Sequence, residues 1–283
     1  MTLVAVTGAS GKAGRAVVRD LLERGYDVRA VDLVTGPADL GTDVLVADLT
    51  DYGQAFQALD GCETVVHLAN IPAPGRKPDA VTFTTNVATN YAVFTAAARL
   101  RLDRVVWASS ETTLGLPFDT PPRYAPIDED HYPYPTSAYA LSKVASETVA
   151  EQIAGWSGLP FIALRFSNIH APEDYARVPS YWADPRSRHW NAWGYIDERD
   201  VALSCRLALT ADVTGAVALI IAAADTIMDR PSADLMAEVF PQTPVRRELS
   251  GYETLLSIDR ARAVLGFEPQ HSWREHVTAA GAR

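Results

Sequence analysis

The stretch Thr7-Gly-Ala-Ser-Gly-Lys-Ala-Gly14 constrains this chain more than any other, because it joins an apolar run, Leu3-Val-Ala-Val6, to a helical pattern, Ala16-Val-Val-Arg-Asp-Leu-Leu22. A strand that passes through a glycine-rich turn into a helix opens a βαβ unit and so points to a parallel sheet. Glycines 8, 11 and 14 fall on Gly-x-x-Gly-x-x-Gly spacing. Small residues there let the backbone approach a pyrophosphate, whose charge meets the free N–H groups at the helix start. Gly8, Ser10, Gly11, Lys12, Ala13 and Gly14 are the expected contacts. Asp32 ends the second apolar run about 20 residues on, where a carboxylate can accept hydrogen bonds from ribose hydroxyls. It would repel a 2′-phosphate and no arginine follows it directly, which favours NAD over NADP. Asp48 and Leu49 after the third run could meet the adenine. Leu68 and Ala69, in His67-Leu-Ala-Asn70 after the fourth, offer backbone groups beside the ribose, with His67 itself read as a near-core residue.

Strand-like runs near Leu3 to Thr7, Asp27 to Asp32, Asp43 to Val46, Thr64 to Leu68, Arg104 to Ala108 and Phe161 to Arg165 alternate with helical stretches. The helices read as about Lys12 to Arg24, Tyr52 to Leu59, Asp79 to Leu100 and Ser137 to Trp156, the last opened by an N-cap at Thr136 or Ser137. This alternation predicts an α/β fold of Rossmann type, a doubly wound parallel sheet with helices on both faces. Residues 167–194 are loop-rich, and loops of that length are rarely idle. Further signals at Asp200 to Leu209, Ala216 to Ala222, Ser232 to Phe240 and Ser257 to Leu265 predict a small C-terminal substrate lobe over the sheet's carboxyl edge. The expected division is residues 1–168 for the dinucleotide-binding domain, with 195–222 returning to it, and 169–283 mainly for the lobe.

At 283 residues the chain can bury a full doubly wound core without staples. Cys62 and Cys205 lie far apart and the six histidines show no metal-type spacing, so neither a disulfide framework nor a metal site is expected. A formal net charge of −10 argues against a nucleic-acid partner. The sequence opens without a basic segment and apolar signal core and contains no apolar run of about 18 residues. A reduced, cytoplasmic protein that does not span a membrane is therefore expected. Arg177, Arg186 and Arg188, with Arg230, Arg246 and Arg247, are concentrated in the C-terminal half, where they either bind a small anion or are solvated.

Tyr139 and Lys143 stand four residues apart and share one face of their helix. A lysine held beside a phenol favours the phenolate, a usable base near neutrality, and such a base is expected next to a redox cofactor.

With these motifs in place the chain resembles an extended short-chain dehydrogenase/reductase of the NAD-dependent epimerase/dehydratase family, over most of its length. Thr7 to Gly14 is similar to that family's glycine signature, and Tyr139-x-x-x-Lys143 matches its catalytic helix. Val105 to Gly115 resembles its serine-ending strand, with Leu114 where the family has tyrosine. Leu164-Arg-Phe-Ser-Asn168, Tyr195 to Ala202 and Asp259 to Pro269 resemble later family segments. The resemblance implies Tyr139 as acid/base, Lys143 on the nicotinamide ribose and lowering the tyrosine pKa, and Ser110, or in a one-residue slip Ser109, on the reacting oxygen. It places Phe166 and Asn168 beside nicotinamide and substrate, and Asn86 on the helix behind the site.

Family dehydratases carry two carboxylates among the three residues from the catalytic serine or threonine, whereas Ser110-Glu111-Thr112 has one, which disfavours elimination. The function implied is NAD-dependent hydride transfer at a secondary alcohol of a sugar, sugar acid or similar small polyol. A nucleotide-sugar epimerase that retains NAD and a non-catalytic dinucleotide sensor are the alternatives. Trp182, Trp190 and Trp193 are expected either to form a substrate wall with the nearby arginines or to pack the lobe. The two long helices, Asp79 to Leu100 and Ser137 to Trp156, imply a homodimer with a four-helix interface.

Overall fold

The computed structural model describes residues 2–277. Among them, seven strands form one parallel sheet: β1 (Leu3–Thr7), β2 (Asp27–Asp32), β3 (Val44–Val46), β4 (Thr64–His67), β5 (Arg104–Ser110), β6 (Phe161–Phe166) and β9 (Ala216–Ile221), in the order β3-β2-β1-β4-β5-β6-β9. Between them run the helices α1 (Lys12–Glu23), α2 (Tyr52–Leu59), α3 (Asp79–Leu100), α4 (Ala138–Ser157) and α5 (Glu198–Ala208). The chain winds outward from β1 to β3 and then returns to β4 on the other side of β1. The carboxyl ends of β1 and β4 therefore border the crevice where such sheets bind ligands.

Side-chain alternation along each strand fills a layer on either face. Val4, Val6, Val66, Val106, Ile162 and Leu164 pack with Val17, Val18 and Leu21 of α1 and with Val201 and Cys205 of α5. Ala5, Val65, Val105, Trp107 and Phe161 pack with Ala55 and Leu59 of α2, Val93 and Phe94 of α3 and Ile153 of α4. The Rossmann-type architecture is thus the one the alternation predicts, with β9 supplying the far edge of the sheet.

Two features depart from the sequence reading. β5 extends through Ser109 and Ser110, because those residues continue the register with Arg165 and Phe166 of β6. The lobe also takes more of the chain than residues 169–283. Its core joins Tyr175, Trp193, Leu235 and Leu256 to Leu114, Leu116, Phe118 and Ile127 from the connection between β5 and α4. Single bridges tie Ala125 to Val245 and Ile127 to Leu256. These apolar residues have no place on the sheet and find burial only against the lobe. The remaining elements are β7 (Ile169–His170), paired in parallel with β8 (Ile196–Asp197), and the helices α6 (Ser232–Val239) and α7 (Asp259–Leu265). Residues 172–181 and 185–191, left as loop by the sequence, form 3-10 turns with prolines at their starts.

Behind the carboxyl end of β5, Arg165 makes a two-pronged pair with Glu147 of α4, at 2.9 and 2.7 Å, and Ser109 Oγ donates to the same carboxylate at 2.5 Å. Both charged side chains are buried. Removing one member of such a pair strands the other charge in the interior. Glu147→Ala is therefore expected to lower the unfolding free energy by about 3 kcal/mol in denaturant titration, and an unchanged midpoint would refute that role.

Candidate active site

The glycine turn closes against the start of the β4 loop. Gly8 has φ +71°, and a Cβ there would lie 2.7 Å from the Ala69 nitrogen, so only glycine fits. A Cβ on Gly14 would run into the Gly8 carbonyl. Ser10 N donates to Asp32 Oδ2 at 2.8 Å and Leu33 N to Oδ1 at 2.6 Å, which fixes the carboxylate at the end of β2 beside the turn. Thr7 Oγ1 accepts from Leu68 N and Ala69 N, bringing those backbone groups to the crevice. A cradle with no room for a Cβ at Gly8 or Gly14, and with a partly exposed carboxylate at one end, fits a dinucleotide with free ribose hydroxyls. Leu49 is buried beneath the crevice's outer end, and Asp48 turns Oδ1 onto Thr50 N and Oγ1 at 2.9 and 2.7 Å, which holds its carboxyl below the usual range.

Tyr139 and Lys143 lie in the first turns of α4, whose N-cap Ser137 accepts from Ala140 N at 3.1 Å. Both are buried. The structure separates the two serines at the end of β5: Ser109 faces back to Glu147, and Ser110 lies on the Tyr139 side, where its hydroxyl favours the ionised phenol. Lys143 Nζ donates to Asn70 Oδ1 at 2.6 Å and to the Ala108 carbonyl at 2.8 Å, and lies 5.6 Å from the centre of the Tyr139 ring.

The expectation that the lysine pulls the phenol's pKa down is corrected for the protein taken alone. Burial dominates and pushes Tyr139 up to about 12, against the Ser110 hydrogen bond and helped by the charge of Glu111. Burial likewise brings Lys143 down to about 7, with Glu147 opposing. The side chains that share a helix face also share its desolvation, which outweighs their mutual effect.

Behind this pair runs a buried polar chain that the sequence did not reveal. Thr7 Oγ1 meets His67 Nδ1 at 2.6 Å, His67 Nε2 meets Asn90 Oδ1 at 2.9 Å, and Asn70 Nδ2 donates to the same Asn90 oxygen at 2.8 Å. Asn90 Nδ2 then donates to Ser146 Oγ of α4 at 2.7 Å. His67 is the satisfied interior residue it was read to be. Asn86, fully buried one turn earlier on α3, pairs with both backbone groups of Ile71 and donates to Ser142 Oγ, so it anchors the β4 loop from behind. Asn70 and Asn90 carried no signal of their own, since an asparagine after a strand or within a helix has many structural uses.

On the lobe side, Phe166 ends β6 in the core and Asn168 Oδ1 accepts from Arg188 Nη2 at 3.1 Å. Lys12 reaches across from the glycine turn to pair with Asp174 and to donate to the Ile169 carbonyl, a contact no spacing could foretell. Ala13 packs against the core at the start of α1. Of the six arginines singled out in the C-terminal half only Arg188 is buried, whereas Arg177 and Arg186 are exposed and Arg230 and Arg247 pair with Glu238 and Glu253. Two of the tryptophans serve the lobe's packing: Trp193 is fully buried and donates to the Pro185 carbonyl, and Trp182 lies against Trp273. Trp190 lies under the Arg188 guanidinium at 4.7 Å. Among the described residues no cluster could hold a metal ion, Cys62 and Cys205 are free and buried, and no helix is long and apolar enough to cross a membrane.

Sheet order and glycine cradle together define a Rossmann-type α/β protein built to hold a dinucleotide. Residues 4–189 match the NAD dependent epimerase/dehydratase family, and the chain belongs to that family of NAD-dependent enzymes. It is 27% identical to the NAD-dependent glucose-6-phosphate dehydrogenase of Haloferax volcanii over 290 aligned positions, covering 96% of this chain and 94% of the relative. It is 30% identical to the UDP-glucose 4-epimerase of Lacticaseibacillus casei over 177 positions, 59% of this chain and 51% of that protein. A short-chain dehydrogenase/reductase superfamily protein from Agrobacterium tumefaciens with bound NAD superposes with TM-score 0.73 at 23% identity, over 97% of this chain and 94% of the other.

Burial holds His67 down at about 3, against an ordinary 6.5. The unfolded chain therefore binds a proton that the folded one refuses between those values, and the stability that the neutral ring contributes is lost as the pH falls through this window. Replacing His67 by Gln is expected to flatten the decline of unfolding free energy over that range. A decline as steep as in the parent would contradict this.

Proposed function

We propose that the protein transfers hydride between NAD and a secondary alcohol of a sugar, sugar acid or similar small polyol, with Tyr139 as acid/base. The observation that carries this reading is the gathering of Tyr139, buried Lys143 one turn on and Ser110 at the carboxyl end of β5, near the glycine cradle. In this reading Ser110 orients the reacting oxygen and Tyr139 exchanges a proton with it. Lys143, held by Asn70 and Ala108, points its ammonium where ribose hydroxyls would lie. Gly8, Ser10, Gly11, Lys12, Ala13 and Gly14 would hold the pyrophosphate, Asp32 one ribose, Asp48 and Leu49 the adenine. Leu68, Ala69, Phe166 and Asn168 would border the nicotinamide end, with Asn86 supporting the loop between. NAD, when bound, supplies the hydride acceptor and, oxidised, a positive charge that favours the phenolate.

With its pKa raised, the phenol stands ready as an acid toward a carbonyl. As a base toward an alcohol it needs cationic neighbours to bring it down. Net dehydrogenation is supported by the coverage of the glucose-6-phosphate dehydrogenase relative, almost end to end. An epimerase that keeps its NAD is the second reading, favoured by the Lys12–Asp174 clasp joining the phosphate turn to the lobe. Residues 1–168 with 195–222 would carry the cofactor, and most of 169–283 the substrate.

A homodimer is part of the proposal. The outer faces of α3 and α4 expose Tyr91, Leu141 and Trp156, the last 71% exposed, and α3 and α4 together offer a long paired surface to a second copy.

NADH formation should be screened over glucose 6-phosphate, arabinose, glucuronate, galacturonate and UDP-glucose. Tyr139→Phe is expected to lower turnover by at least about a hundredfold while NAD affinity stays within a factor of about two, and normal turnover in that variant would end the proposal. Conversion of UDP-glucose without any free-sugar signal would instead select the epimerase reading. Trp156→Glu is expected to halve the mass seen in sedimentation, and a parent protein that already sediments as a monomer would remove the dimer.

A further inference from the structure

Glu111 is an interior carboxyl without a place in the scheme above. It directly follows Ser110, at the start of the 3-10 turn Glu111–Leu114 that the Ser110 hydroxyl caps by accepting from Thr112 N at 3.2 Å. The residue is 3% exposed. Its Oε2 accepts from Ser167 Oγ at 2.5 Å and its Oε1 from Asn191 Nδ2 at 3.2 Å, and the nearby Asn168 N–H favours its ionised form. One carboxyl thus ties together the catalytic serine's turn, the end of β6 and the 185–191 segment. Beyond Asn191 the backbone is held in the left-handed region at two residues that carry Cβ, Ala192 (φ 51°) and Trp193 (φ 57°). Such residues persist there only when their surroundings fix them.

A buried carboxylate is ordinarily paired with a cation. Among the described residues Glu111 has no such partner. Arg188, which faces it from the 185–191 segment, gives Nη2 to Asn168 Oδ1 and the Gly194 carbonyl. Arg165 on β6 is turned to Glu147, and Lys143 on α4 is held by Asn70 and Ala108. Tyr139 is the titratable group on α4 that feels the Glu111 charge. Surrounded by amide and hydroxyl donors, the carboxyl is pushed by burial up to about 7, with Arg188 acting only at a distance.

We propose that Glu111 is a positioning residue for the Ser110–Tyr139 pair: it holds the serine turn against β6 and the 185–191 segment, and its charge sets how readily the Tyr139 phenol releases its proton. This rests on Tyr139 acting as the acid/base. A neutral Glu111 favours the phenolate that alcohol oxidation requires, and an ionised one favours the phenol that carbonyl reduction requires.

Glu111→Gln keeps an acceptor for Asn191 and the Asn168 N–H and a donor for Ser167, and removes only the charge. Carbon-13 NMR of the labelled glutamate carboxyls and tyrosine ζ carbons reads both groups without any substrate, the resonances being assigned by their loss in Glu111→Gln and Tyr139→Phe. The expected result is a Glu111 titration near neutrality and, in Glu111→Gln, a Tyr139 midpoint lower by about half a pH unit or more, a factor of about three in phenolate below the midpoint. Glu111→Ala, which drops the hydrogen bonds as well, is expected to lower the melting temperature where Gln does not. A Tyr139 midpoint that stays in place in Glu111→Gln, or a Glu111 that titrates in the ordinary glutamate range, overturns the inference. If Tyr139→Phe turns over normally, the proposed function fails whatever Glu111 does. If that variant is inactive and the Glu111→Gln midpoint is unmoved, only the role of Glu111 fails.

Discussion

Tyr139, Lys143 and Glu147 recur at four-residue intervals along α4, and the fold drives all three ionisable side chains beneath the carboxyl end of β5. Burying three such groups on one helix face costs desolvation that apolar packing cannot return, so each must find a polar partner. Tyr139 has Ser110, Lys143 has Asn70 and Ala108, and Glu147 has Arg165 and Ser109. Adjacent serines on β5 point to opposite faces, and each therefore meets a different member of the trio. The surroundings of Tyr139 and the buried Arg165–Glu147 pair are two sides of one strand end.

The same constraint links the helix to the cofactor crevice. Asn70, which receives Lys143, also donates to Asn90, and Asn90 connects through His67 to Thr7 at the mouth of the glycine turn. Thr7 in turn accepts the Leu68 and Ala69 amides. A dinucleotide in the cradle would lie along a wall whose backbone positions are set by this chain of short side chains. Because Thr7, His67 and Asn90 are buried, a charge or a gap at one of them is transmitted as an unmet hydrogen bond at the next.

Beside the apolar contact of Ile220 with the lobe's core, polar contacts join the lobe to the sheet side. Lys12 pairs with Asp174, Arg188 holds Asn168, and Glu111 receives Ser167 and Asn191. Arg188 and Glu111 stand near one another without forming an ion pair, each spending its hydrogen bonds on neutral groups. Of the two roles expected for the tryptophans, packing of the lobe is the one that Trp182 and Trp193 fill, since they spend their N–H groups on backbone carbonyls within it.

Much of this was legible in the sequence because it is local. Strand alternation, the spacing of glycines 8, 11 and 14, the N-cap before α4 and the four-residue step from Tyr139 to Lys143 each depend on backbone geometry over a few residues, and the structure places those elements within a residue or two of their expected ends. Long-range partners were not legible. Nothing near Lys143 announces Asn70, nothing near Lys12 announces Asp174, and the joining of residues 114–127 to the lobe depends on which apolar surface is left uncovered once the sheet is filled. The direction of the Tyr139 shift is not legible for the same reason: spacing shows which groups are neighbours, but burial decides which charge state the interior tolerates. The sequence by itself therefore determined the sheet, the cradle and the reactive helix, whose signals are periodic and short-ranged. Only tertiary structure decided which serine faces the phenol, what holds the lysine and where Glu111 lies, because those depend on desolvation and on contacts between segments far apart in the chain.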